Sequence, residues 1–307
     1  MNKYIELLKK KNTLIDLALS KYDQRIPNPD HFEIIKRVPN AHLFLKSFIN
    51  SLKYNDSFKN INTFCLFLGY SRSGHSLVGS LLDAHPNVII GHEVDVLYLS
   101  QKGYSRDQIL SIILENSKIF AKVGRGWSGY SYEVKNQWQG KFNKLLVIGD
   151  KMGGWTSYQI LNNEHILDAF KAKIHMGIKY IHHIRNPFDI ISRSAIKKGK
   201  TEIIKSDIDS FLLIAKAISE TKKNILKNDI LEEEHEDFIV NPEKYLRDIC
   251  FFLNIQPNEN YLNACSKTVN PKIKKSRYEI IWSKQLIKYL SKKLQSYPYL
   301  SDYSYYK

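Results

Sequence analysis

The chain is short of cysteine, of long apolar runs and of acidic residues, and each shortage excludes something. Three cysteines in 307 residues, Cys65, Cys250 and Cys265, show no ligand spacing and sit in apolar surroundings. They read as buried, reduced thiols, not as a disulfide frame or a metal site. No run approaches the roughly eighteen apolar residues of a membrane-spanning helix. Residues 1–19 carry charge throughout and look like an amphipathic helix, unlike the uncharged core of a signal peptide. The expectation is a soluble, cytoplasmic protein. Asp and Glu number 31 against 46 Lys and Arg, a net charge of +15, which favours anionic partners. The positives are mostly lysines spread along the chain. No arginine-rich tract or aromatic-interleaved basic stripe stands out, so nucleic acid is not the expected partner.

One absence falls inside a motif. Residues 64–68 are an apolar run and should form a buried strand. GYSRSGHS follows, from Gly69 to Ser76, and Leu77, Val78, Leu81 and Leu82 then recur at helical spacing. Strand, glycine-bounded loop and helix together make a phosphate cradle, with loop amides and the positive helix end aimed at one anion. The spacing fits G-x-x-x-x-G-K-[ST] at every fixed position but one. His75 stands where the lysine that reaches the outer phosphates of a nucleoside triphosphate belongs. With Arg72 inside the loop, a phosphate-rich ligand other than ATP or GTP is indicated.

Strands alternate with helices through the rest of the chain. Strands are expected at 88–90, 145–148 and 178–184, and helices at 105–120, 187–197, 206–226, 241–253 and 283–295. Pro187 and Asn241-Pro242 are helix-start signals. This alternation predicts an α/β fold of three layers, a parallel sheet with helices on both faces. Residues 1–60 read as an N-terminal helical extension packed on the core, broken at 27–29 and near Pro39, and 61–307 as one globular domain. Open α/β sheets place ligands at the carboxyl ends of their strands. Four chemistry-bearing groups fall there: the phosphate loop, Glu93, Lys151, and Arg185 with Ser192. Each has a plainer explanation. Glu93 caps the next helix, Lys151 is a solvated lysine, and Arg185 pairs with Asp189 one turn on.

The ordered set resembles a family. G-Y-S-R-S-G-H-S-L…L-L-D-A-H-P-N-V is similar to the 5′-phosphosulfate loop of sulfotransferases, with tyrosylprotein and glycan members closest by motif. Ile184-Arg185-Asn186-Pro187-Phe188-Asp189 resembles their 3′-phosphate signature. His235-Glu236-Asp237-Phe238, Asn241-Pro242 and Leu246-Arg247…Phe252-Leu253 resemble their Y-E-D-L…P…F-L segment, and Ser276-Arg277 before Trp282 is a weaker match. The resemblance implies a P-loop-like fold. It also implies sulfuryl transfer from 3′-phosphoadenosine-5′-phosphosulfate, without a metal, to an acceptor hydroxyl.

On that resemblance, Arg72, Ser73, Gly74, His75 and Ser76 would hold the phosphosulfate. Arg72 and Lys151 would offset charge on the leaving group. Glu93 would be the base, with His92 the runner-up because small-molecule members use histidine. Only one of these neighbours is expected to face the cleft. Arg185 would grip the 3′-phosphate with a serine usually eight residues on. Here that position is Arg193, so Ser192 is the chosen serine, with Ser194 the other flank. His75 departs from the usual threonine, and His235 from the usual tyrosine. Two other readings stay open. One is a nucleoside-triphosphate kinase or ATPase, with Asp150 the tempting metal ligand. The other is a nucleotide-binding module that has lost its chemistry. The acceptor class is open. Basic character suits an acidic glycan or peptide, and Trp127, Tyr130, Tyr132 and Trp138 suit stacking on a sugar or phenol as well as core packing.

Overall fold

The computed structural model describes residues 40–127, 129–163 and 165–306. The helix expected at 1–19 and the break at 27–29 lie outside the described residues. In chain order the strands are β1 Thr63–Gly69, β2 Val88–His92, β3 Gly126–Trp127, β4 Tyr130–Ser131, β5 Val147–Lys151, β6 Gly177–Ile184 and β7 Ile230–Glu234. Five of them form one parallel sheet in the order β2-β5-β1-β6-β7, and β3 and β4 make a small antiparallel hairpin outside it.

The central strand shows why the sequence folds this way. All seven residues of β1, TFCLFLG, are buried, as a strand covered on both faces requires. Phe64, Leu66 and Leu68 point to one side, where Ile109, Leu110 and Phe170 from helices Arg106–Lys122 and Ile166–Ile174 cover them. Cys65 and Phe67 point to the other side, against Val78 and Leu81 of helix His75–Leu82 and Phe238 and Leu246 further on. Helix Asn40–Phe58 joins the first of these layers. It turns Ser47 and Ser51 inward, and Ser111 Oγ donates to the Ser47 carbonyl at 3.0 Å. Phe44, Leu45, Phe48, Ile49 and Leu52 on its other side are exposed. No helix among the described residues is long and apolar enough to cross a membrane.

The α/β architecture and the parallel sheet are as the alternation predicts. Strand boundaries shift: the strand expected at 145–148 is Val147–Lys151, so Asp150 and Lys151 are strand residues, and the one expected at 88–90 runs to His92. The short β3 and β4 and the longer β7 were not foreseen as strands. β7 reads ILEEE, and its acidic run hides it. Glu232 is accommodated because His182 Nδ1 lies 2.7 Å away and Lys222 Nζ donates at 2.7 Å.

The strand order positions the site. From β1 the chain moves outward to β2, while β6 leads the opposite way to β7. Connections therefore diverge between β1 and β6, which opens a crevice at their carboxyl ends. The phosphate loop and Arg185 face each other across it, and Arg185 Nη1 donates to the Arg72 carbonyl at 3.0 Å.

A buried ion pair secures the β6 side. Asp189, on helix Pro187–Lys197, accepts from the Arg277 backbone amide at 2.9 Å and from its Nη1 at 2.7 Å, and both side chains are out of solvent. Breaking such a pair leaves a buried charge uncompensated and costs about 3–5 kcal/mol. Asp189→Ala should lower the unfolding free energy by that amount in urea titration. A loss under about 1 kcal/mol would show the pair to be dispensable.

Candidate functional site

The loop is built by backbone conformation. Arg72 has φ 74° and Gly74 has φ 105°, and helix His75–Leu82 starts without a side-chain cap. The first-turn amides of a helix have no carbonyl partner within it; the Leu77 and Val78 amides bond the Gly74 carbonyl, which leaves those of His75 and Ser76 to meet an anion. Gly74 has a second reason to be glycine. A Cβ there would lie 2.3 Å from His235 Nδ1.

His75, the residue that breaks the triphosphate motif, does not replace the missing charge. Its ring is buried against Gly153, where a Cβ would stand 2.5 Å from His75 Cε1. Its Nδ1 lies 3.1 Å from the Ser73 hydroxyl. Burial, with the Lys151 ammonium next in weight, pushes its pKa well below the ordinary value. His75 is thus a neutral wedge between the loop and the end of β5. Its backbone amide stays in the cradle while its ring packs inward.

Lys151 is no surface lysine. It is buried at the end of β5, and its stem lies along Gly79 of the loop helix. Its ammonium donates to Glu93 Oε1 at 2.9 Å and stands 3.5 Å from His92 Nε2. Desolvation holds its pKa below the ordinary lysine value, and Glu93 pulls the other way. The expected divergence of His92 and Glu93 is corrected here. Glu93 has φ 57°, and this left-handed step breaks the strand alternation, so both side chains reach the same ammonium. The two differ in surroundings. His92 stacks on Phe120 with centroids 4.2 Å apart, whereas the Glu93 carboxylate keeps partial exposure. Nor does Glu93 cap helix Val96–Gln101. Asp95 does, accepting from the Tyr98 amide at 3.3 Å.

Arg185 does not make a side-chain pair with Asp189, whose oxygens serve Arg277. Its guanidinium instead bridges two segments, donating to the carbonyls of Arg72 at 3.0 Å and Lys274 at 2.6 Å, and its Nε is buried without a protein partner. Ser192 is turned away from this group. It is fully buried, and its Oγ accepts from Trp282 Nε1 at 2.8 Å. One helical step on, Arg193 lies within electrostatic reach of both Arg72 and Arg185. Ser192 thus faces Trp282, while Arg193, which stands at the expected position, is the member of the 192–194 set near the two arginines.

Arg72 is half-buried and feels Glu93, Arg193, Tyr132 and Tyr130, while desolvation is the largest influence lowering its pKa. Tyr130 of the β3–β4 hairpin and Tyr132 just after it lie within electrostatic reach of the arginines, and their rings stack at 6.2 Å. Asp150, the tempting metal ligand, has both oxygens committed to backbone amides of residues 94–96. Sequence reasoning missed this role, as it missed the buried His183–His235 contact, with Nε2 and Nδ1 3.0 Å apart beneath Gly74. The only signal for the latter was His235 standing where the family has tyrosine.

No protein-family model and no curated protein matches the sequence. Solved structures do. A sulfotransferase domain from the Synechococcus PCC 7002 olefin synthase matches at 21% identity and TM-score 0.44, over 74% of this chain and 83% of that one. A sulfotransferase from Mycobacterium avium matches at 9% identity and TM-score 0.48, over 84% and 82%. A mouse sulfotransferase complexed with PAP matches at 12% identity and TM-score 0.43, over 79% and 88%. These structures are sulfotransferases, the family that the sequence motifs resemble, and the likeness is one of fold.

The buried histidines set a stability trend with pH. Burial lowers the pKa of His183 from 6.5 to about 3 and pushes His235 well down. The unfolded chain then binds more protons below pH 6.5, so these groups remove stability as pH falls from there toward 3. Each approaches about 1.4 kcal/mol per pH unit. Urea titrations at pH 6.5 and 4.5 should show a shallower acid loss in His183→Gln/His235→Gln than in the wild type. Equal slopes would contradict this.

Proposed function

We propose that the protein is a sulfotransferase that moves a sulfuryl group from 3′-phosphoadenosine-5′-phosphosulfate to an acceptor hydroxyl. One observation carries this reading. A phosphate loop without its lysine shares a crevice with a buried Lys151–Glu93 pair and with Arg185. A triphosphate enzyme with this loop needs the loop lysine and a carboxylate for its metal, whereas here position 75 is histidine and Asp150 is committed to three backbone amides. A sulfuryl transferase needs both a cation for the leaving group and a base for the acceptor.

The residues present suit such a donor. Loop amides from Gly74 to Ser76, the Ser73 hydroxyl and the Arg72 guanidinium meet the 5′-phosphosulfate. The unpartnered Nε of buried Arg185, with Arg193 beside it, suits a phosphate on the ribose. Arginine's fork fits such oxygens. In the transfer, the acceptor oxygen–sulfur bond forms as the sulfur–phosphate oxygen bond breaks. Glu93 takes the acceptor proton. Lys151 and Arg72 stabilise the negative charge that grows on the departing phosphate, and catalysis is mainly positioning and electrostatics. Tyr130 and Tyr132 stand within electrostatic reach of the arginines assigned to the donor. Three buried free cysteines fit the reducing, cytoplasmic setting of this reading.

Calorimetry with 3′,5′-adenosine bisphosphate tests the donor site. Binding at micromolar concentration is expected. Arg185→Ala should weaken it about 30-fold or more, the worth of a charge-assisted contact near 2 kcal/mol. Arg193→Ala should weaken it about tenfold, and Ser192→Ala by less than about twofold. No detectable binding by the wild type sinks the reading, and a larger loss from Ser192→Ala than from Arg193→Ala reverses the assignment. In a donor-turnover screen across glycans, phenols, lipids and peptides, Glu93→Gln should cost about 10²–10⁴-fold on whichever acceptor works. A Glu93→Gln enzyme of wild-type rate would remove Glu93 as the base.

A further inference from the structure

Asp150 lies at the end of β5, sealed from solvent, beside the residue that pairs with Glu93. Its carboxylate collects three consecutive amides. Oδ1 accepts from Val94 at 3.0 Å, and Oδ2 from Asp95 at 2.9 Å and Val96 at 3.3 Å. These are the residues directly after Glu93. The segment is in an unfavourable conformation without them. Glu93 and Asp95 both hold positive φ, 57° and 63°, a region that non-glycine residues adopt only when their surroundings impose it.

The geometry shows what that conformation achieves. Backbone continuing as a strand past His92 would send the next side chain to the opposite face of the sheet. The left-handed step at residue 93 returns the carboxylate to Lys151, 2.9 Å away. The Glu93 amide is tied to the Lys151 carbonyl at 3.1 Å. Residues 150 and 151 therefore grip the turn on both sides of Glu93. Lys151 holds its amide and its carboxylate, and Asp150 holds the three amides that follow.

We propose that Asp150 is a positioning residue for the transfer reaction, holding the left-handed turn that aims Glu93 at Lys151 and at the acceptor. The proposal rests on the sulfotransferase reading. The chemistry requires an anion at position 150. A carboxylate is acceptor-only and serves all three amides, whereas an asparagine of the same shape keeps one oxygen and turns an N–H₂ group toward an amide donor. Burial pushes the Asp150 carboxyl up to about 6 while the three amides and Lys151 pull it down, so it is ionised at neutral pH. An Asp150 that merely supported helix Val96–Gln101 would show the same contacts, so the test must separate the two roles.

The experiment uses the full chain and four proteins: wild type, Asp150→Asn, Glu93→Gln and the double variant. Each is titrated with 3′,5′-adenosine bisphosphate and then assayed for release of that product from 3′-phosphoadenosine-5′-phosphosulfate, with water as acceptor. Asp150→Asn should bind the product within about threefold of wild type and lose about 10–100-fold in turnover. In the Glu93→Gln background the same change should matter by less than about twofold, because Asp150 acts only through Glu93. A multiplicative loss in the double variant overturns the proposal. So does wild-type turnover in Asp150→Asn, or turnover in the product-binding wild type that Glu93→Gln leaves intact. If Asp150→Asn does not fold, Asp150→Glu, which keeps the charge and shifts its reach, is read by the same cycle. A wild type that fails to bind the product counts against the sulfotransferase reading itself.

Discussion

Positive charge held out of water at the carboxyl edge of a buried sheet is the constraint on which this structure turns. Arg72, Lys151 and Arg185 all have pKa values lowered first by desolvation, and Arg72 and Arg193 add like-charge repulsion within the group. Burying a cation is costly unless something compensates it. Compensation comes from Glu93 on Lys151 and on Arg72, from the backbone carbonyls of Arg72 and Lys274 on Arg185, and from the more distant carboxylates of Asp150, Asp189 and Glu236. A site assembled this way suits an anion, because the cost of bringing its charges together is met on folding, before any ligand arrives.

The surrounding architecture serves that arrangement. The divergence of connections between β1 and β6 opens the crevice. The loop adopts left-handed backbone at Arg72 and Gly74 to face it. Neutral His75 wedges between the loop and Gly153, and the His183–His235 contact closes the floor under Gly74. A charged side chain at position 75 would sit in a pocket lined by Gly153 backbone and near the Lys151 ammonium, where a second cation is disfavoured. The missing lysine and the buried Lys151 are two sides of one electrostatic solution.

Much of this was legible in the sequence because it is written locally. The run at β1, the glycine spacing of the loop and the Asn-Pro start at 186–187 each reflect a short-range rule, and the elements they predict stand close to where they were placed. Glu93, Lys151 and Arg185 were legible as strand-end residues. The remainder depends on long-range contacts. β7 was hidden because its glutamates look solvated until His182 and Lys222 are brought beside Glu232. Ser192 was preferred to Arg193 because spacing alone does not tell which face of helix Pro187–Lys197 meets Trp282. Asp150 was a tempting metal ligand under the triphosphate alternative because its three amide partners lie more than fifty positions away. The divergence expected of His92 and Glu93 assumed regular strand geometry, which the left-handed Glu93 abandons.

The account's central claim is that these groups form one donor site with its base on the acceptor side. A crystal structure with 3′,5′-adenosine bisphosphate tests it most directly. The 5′-phosphate should lie on the amides of Gly74 to Ser76 beside Arg72, the 3′-phosphate on Arg185 and Arg193, and Glu93 and Lys151 should face the open side of the 5′-phosphate. A nucleotide bound elsewhere, or bound in this crevice with its 5′-phosphate remote from Lys151 and Glu93, would contradict the account.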